Sequence, residues 1–182
     1  PVRPMLARLL DGLRRVNRAV ALLAGLALFG CGAFIIAEIV LRQAGASMGG
    51  SDEIAGYVMA GATAWGLGFG LTERAHVRID LIRIRLSGIG GALLDLLSLA
   101  ALAFVAVVIA VRGWPVLERS LVNDSRANTP LETPLWIPQA IWWSGMVWFA
   151  AVATVLLLLA AAALATGRPG DAARAIGPVG EG

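Results

Sequence analysis

The stretch IPQAIWWSGMVWFAAVATVLLLLAAAALA, residues 137–165, runs for 29 residues without one charged side chain. At 1.5 Å rise per residue a helix of that length crosses the roughly 30 Å hydrocarbon core of a bilayer with turns to spare. A helix also bonds its own backbone, which a lipid-facing segment requires. Three further apolar runs lie upstream, Ala19 to Ala37, Ile54 to Leu71 and Leu96 to Val111. Each reaches spanning length once its flanks are included, the third by starting near Ile89 with Asp95 close to its entrance. The sequence therefore predicts an all-α integral membrane protein with four transmembrane helices, at about 19–41, 53–72, 90–112 and 137–165. Residues 1–18 precede them and a tail at 166–182 follows.

Composition agrees. The chain is 58% hydrophobic, with a mean hydropathy of +0.78, above what soluble domains carry. A soluble bundle would show a polar stripe on each helix, and these runs show none.

All 15 basic residues are arginine. Arg3, Arg8, Arg14, Arg15 and Arg18 precede span one; Arg74, Arg78, Arg83 and Arg85 separate spans two and three; Arg168 and Arg174 follow span four. The opposite side receives only Arg42, Arg112, Arg119 and Arg126, mixed with Asp52, Glu53, Glu118, Asp124 and Glu132. The positive-inside rule places both termini in the cytoplasm. Trp114, Trp136, Trp142 and Trp143 then fall at the outer interface, where an indole buries its ring and keeps its N–H wet. Arg8, Arg14, Arg15 and Arg18, interleaved with Leu6, Leu9, Leu10, Leu13 and Val16, predict a short amphipathic N-terminal helix on the cytoplasmic face before span one turns inward. The formal charge of +3 is juxtamembrane arginine suited to lipid headgroups, without the basic stripe or module that nucleic acid requires. The first run, long and followed by Glu38, reads as a retained signal anchor. The tail from Thr166 is too rich in Gly, Pro and Ala to bury a core.

Polar groups inside the spans are few, and none makes a plausible conduction path. Glu38 and Arg42 stand four apart on one helical face near the outer end of span one. They read either as a charge pair at headgroup level or as the coupling carboxylate of a small antiporter. An adjacent arginine favours the ionised carboxylate, the wrong direction for a proton carrier. Asp95 sits near the inner mouth of span three, as a cap, a snorkelling group or a partner for a loop arginine. Ala62, Gly66 and Gly70 form a small-residue stripe for packing inside the chain or against a partner helix. Ser51, with Asp52 and Glu53, suits the start of span two as cap and dipole complement. Pro130, Pro134 and Pro138 predict an extended re-entry into span four, with no regular helix from Asn128 to Ile137. Cys31 is a lone packing residue, and the single histidine, His76, lacks the convergent donors of a metal site.

The loop with Arg74, His76, Val77, Arg78, Ile79 and Asp80 resembles the signature of the small membrane subunit of tripartite ATP-independent periplasmic (TRAP) transporters. Glu38 followed by Arg42, Ser51-Asp52-Glu53 opening span two, and Pro134-Leu135-Trp136-Ile137-Pro138 entering span four are similar to that family in the same order, across residues 15 to 165. One departure is Gln43, where the family usually has an aromatic.

The resemblance implies a non-catalytic scaffold in the bacterial inner membrane. A periplasmic binding protein would capture an organic acid or similar solute, and a large multispanning subunit would carry it with sodium, leaving this chain with no cofactor and no solute site. Glu38, Arg42, Arg74, His76, Arg78 and Asp80, with Gly66 and Gly70, would face the large subunit or lipid. Trp114, Glu118, Asp124, Glu132 and Trp136 would face the docked binding protein. The residues alone also leave room for a small homo-oligomeric transporter coupled through Glu38, or for a four-span membrane enzyme.

Overall fold

The computed structural model describes residues 2–47, 49–73 and 89–167, with backbone alone for residues 2–7. Four helices account for nearly all of them: α1 (Val2–Gln43), α2 (Ser51–Thr72), α3 (Ile89–Val122) and α4 (Trp136–Ala165). Each is long and apolar enough to cross a membrane. Among the described residues the one piece of sheet pairing is an isolated antiparallel bridge, Arg126 to Pro134.

Two helices are longer than the apolar runs that announced them. α1 is one helix of 42 residues, about 63 Å at 1.5 Å per residue, so the predicted turn between an amphipathic segment and span one does not occur. Leu10 and Leu13 explain this, because they pack on the hydrophobic core and hold the arginine-rich part of the helix to the bundle. α3 continues through residues 113–122, beyond the point where Arg112 ends its apolar run. Charge ends a hydropathy signal but not a helix, and Glu118 and Arg119 are good helix formers.

The start of α4 differs by one residue from expectation. The helix begins at Trp136, and Pro138 falls in its first turn, where a missing N–H leaves no bond unmade. Before it the chain does not run extended. Ala127 N–H donates to Thr133 O, and Leu135 N–H donates to Ser125 O, both at 2.9 Å. Residues 125–135 thus form a small hairpin, with Pro134 at a bridge position that needs no donor.

α1 packs on α2, α2 on α4 and α4 on α3. The turn at 44–50 and the hairpin lie at one end of the bundle, called here the loop end. α2 and α4 run parallel: Gly61 meets Ile141, Gly145 meets Ala64 and Trp65, and Gly68 meets Trp148. A methyl at Gly145 would stand 2.8 Å from Ala64 Cβ and 2.9 Å from Trp65 N, so this contact exists only because the residue has no side chain. The space is filled by indoles, with Trp65 and Trp148 stacked at 6.4 Å. Between α3 and α4 the core is built largely from alanine, including Ala103, Ala106, Ala153 and Ala160, which lets the backbones approach closely.

The close-packed stripe of α2 is therefore Gly61, Ala64 and Gly68, and not the stripe through Gly66. A methyl at Gly66 would meet nothing within 4 Å, in contrast to Gly61 and Gly68. Gly66 and Gly70 are half-buried.

Candidate functional site

Polar side chains are sealed inside the bundle at two places on α1. Asn17 is 0% exposed and Glu38 is 1% exposed. The two lie about 31 Å apart along the helix axis. That separation is close to the thickness of the hydrocarbon core.

At Asn17 three helices meet. Its Nδ2 donates to Thr72 Oγ1 at 3.3 Å, and its Oδ1 accepts the Trp148 indole N–H at 2.8 Å. The Thr72 hydroxyl in turn bonds back to the carbonyls of Gly68 and Phe69. Gly68 makes room for this node, since a methyl there would lie 2.9 Å from Asn17 Oδ1. Beside it, Arg18 pairs with Glu73 at 3.3 Å. That pair is largely exposed and contributes little.

At Glu38, Oε1 accepts from Arg42 Nε at 3.1 Å and from Ser47 Oγ at 2.7 Å. The carboxylate is buried while the Arg42 guanidinium is half exposed. A carboxylate held by an arginine and a hydroxyl of its own chain is a fixed charge pair that fastens the 44–50 turn to α1.

The loop end holds a third polar group. Glu53 Oε1 accepts the Tyr57 hydroxyl at 2.8 Å. Thr129, Leu131 and Thr133 of the hairpin lie beside the same carboxylate. Its Oε2 is closed off from solvent without a hydrogen bond of full geometry. Ser51 does not cap α2. The N-cap is Gly50, at φ 69° and without a side-chain bond, while Ser51 is buried in the first turn beside Asp52 and Glu53.

The tryptophans at this end do more than sit in an interface. Trp143 N–H donates to Ala110 O at 2.8 Å, and Trp65 N–H donates to Ile141 O at 3.0 Å. The Trp143 donor is thus bonded to protein rather than kept wet. Trp114 is exposed, and its ring lies tilted at 53° against Trp143 with centroids 5.1 Å apart. Glu118, Asp124, Glu132 and Trp136 are all exposed on the last turns of α3, the hairpin and the first residue of α4. Asp95 is buried and engaged. Arg74, His76, Arg78 and Asp80 lie outside the described residues. No group of three or more His, Cys, Asp or Glu among the described residues forms a metal site.

The outer surface of α1 is apolar and uncovered. None of its most apolar window is buried within the chain, and Phe29 is 81% exposed. Such a surface belongs in lipid or against another helix.

Asn17, Thr72, Trp148 and the hairpin seat at Glu53 escaped the sequence reading. A signal for Asn17 existed: it continues the spacing of Leu10 and Leu13 and is the polar residue on that apolar face. The family model for tripartite ATP-independent periplasmic transporters, DctQ component, matches residues 31–164, from Cys31 in α1 to the last turn of α4. No curated protein and no solved structure matches the chain. With all four apolar helices inside or reaching into that match, the chain belongs to the DctQ family, the small membrane component of TRAP transporters.

Proposed function

We propose that this chain is the non-catalytic small permease subunit of a sodium-driven, binding-protein-dependent transporter for organic acids or similar solutes. It scaffolds a large multispanning subunit in the bacterial inner membrane and helps to dock the periplasmic binding protein. Both termini face the cytoplasm, with the loop end outside, in keeping with the arginines on the terminal side. Solute and sodium bind the large subunit, and this chain carries no cofactor.

Beside family membership, one observation carries the scaffold role. The apolar face of α1 finds no cover in its own chain, while the buried polar groups Asn17 and Glu38 are spent on fastening helices. A chain built this way offers a surface to a partner and keeps no free polar group on that face for a solute. Arg74, His76, Arg78 and Asp80 are assigned to the cytoplasmic contact with the large subunit or lipid phosphate, and Gly66 and Gly70 to a helix contact.

Affinity purification of the chain in mild detergent tests this, with identification of what copurifies. A large multispanning partner is expected, and reconstituted uptake should require both chains together with the binding protein. Uptake by this chain alone would overturn the scaffold role.

A further inference from the structure

Two segments far apart in sequence, Gly50 to Glu53 at the start of α2 and Thr129 to Thr133 at the hairpin tip, form one unit at the loop end. The Leu131 side chain occupies the space that a Cβ at residue 50 would need. Gly50 also has φ +69°, so both its conformation and its neighbour call for glycine. One turn into α2, the Glu53 carboxylate accepts the Tyr57 hydroxyl and is closed off from solvent at Oε2, with the hairpin residues Thr129, Leu131 and Thr133 beside it. The hairpin's own cross-strand bonds are few: Ala127 N–H to Thr133 O and Leu135 N–H to Ser125 O. An isolated two-stranded hairpin is marginal at best in water.

The hairpin also holds an improbable backbone. Asp124 has φ 45° and Glu132 has φ 46°, both left-handed without being glycine. Such conformations persist where the surroundings over-determine them. Both residues are exposed, with Arg126 paired to Asp124 at 3.7 Å. The result is a short, preset, charged projection beyond the apolar helices, and a preset surface loses less freedom when a partner binds.

We propose that Glu53, together with Gly50, is the seat that sets the 125–135 hairpin as a docking element for the soluble binding protein outside the membrane. This rests on the docking role given to the loop end under the proposed function. Glu53 is a positioning residue here, acting through the hairpin and without contact to the solute.

The test uses the full chain in complex with its large subunit. Two variants are compared with the parent: Glu53→Ala, and a double variant Thr129→Val with Thr133→Val that leaves α2 untouched. Hydrogen exchange of the Ala127 and Leu135 amides reads the seat, and binding-protein affinity for the complex reads docking. Both variants should speed exchange of these amides about tenfold or more, because the hairpin opens locally more often once its polar contact with the Glu53 side chain is lost. Both should weaken binding-protein affinity by a similar factor, with the yield of the two-chain complex unchanged. Unchanged exchange in both variants overturns the seat. Faster exchange with unchanged affinity leaves the seat standing and overturns the docking role of this end.

Discussion

The Trp148 indole donates to Asn17 Oδ1 at 2.8 Å across 131 residues of sequence, joining the first helix to the last through a fully buried amide. Asn17→Ala leaves a buried indole N–H without its acceptor. Loss of such a bond costs about 1–3 kcal/mol. Thr72→Val should be milder, because the inter-helix bond it removes, Asn17 Nδ2 to Thr72 Oγ1, is the longer one at 3.3 Å, and the hydroxyl's other bonds go to carbonyls of its own helix. Melting of the purified protein in detergent checks the order: Asn17→Ala lowest, Thr72→Val intermediate. Equal melting of Asn17→Ala and the parent would remove the node from the fold's supports.

Glu38 and Arg42 invite the opposite pair of substitutions. Glu38→Gln keeps acceptors for Ser47 and Arg42 and removes a buried charge, so a change within about 1 kcal/mol is expected. Arg42→Ala removes the guanidinium beside the buried carboxylate, and should destabilise by about 1–3 kcal/mol, less than a fully sealed pair because the guanidinium is half exposed. The double variant should recover much of that loss. Uptake by the assembled transporter should survive Glu38→Gln, and its abolition would return Glu38 to the role of coupling carboxylate.

Gly145 of α4, packed against α2, and Gly66 of α2 respond oppositely to substitution. Gly145→Ala drives a methyl against Ala64 and the Trp65 backbone, and overpacking of this kind costs about 1–3 kcal/mol. Gly66→Ala meets open space and should raise the melting temperature slightly, since alanine is the better helix former by roughly 1 kcal/mol. If Gly66 lies against the large subunit, Gly66→Leu will reduce copurification of that subunit while leaving the melting of this chain alone unchanged.

How far the structure was legible differs by feature. Four spans could be counted from hydropathy, because lipid tolerates no other solution for runs such as residues 137–165. Helix ends were less legible. Hydropathy reports the solvent and not the backbone, so α1 and α3 continue past their apolar runs without a marker. Which glycines pack inside the chain was not legible, since Gly61, Gly66 and Gly68 are chemically alike and only their contacts with neighbouring helices distinguish them. The Glu38 and Arg42 pair was legible because i, i+4 spacing is local. Asn17 with Trp148, and Glu53 with the hairpin, join residues whose proximity depends on the parallel pairing of α2 and α4 and on the path of the hairpin, and neither has a local signature.

The connection between α2 and α3 carries the last prediction. Arg74, His76, Arg78 and Asp80 follow directly on Thr72 and Glu73, and those two residues are tied to α1 through Asn17 and Arg18. The end of α2 that precedes them is therefore anchored to α1. His76→Ala and Asp80→Ala should lower the yield of the complex or the rate of uptake several-fold, with the melting of this chain alone unchanged. Solute preference should stay the same in both variants, because a scaffold contact changes how much transporter assembles and not what it selects. Competition uptake with a panel of organic acids reads this directly. A shift in the order of preferred solutes would give the segment a part in selection and contradict the scaffold assignment.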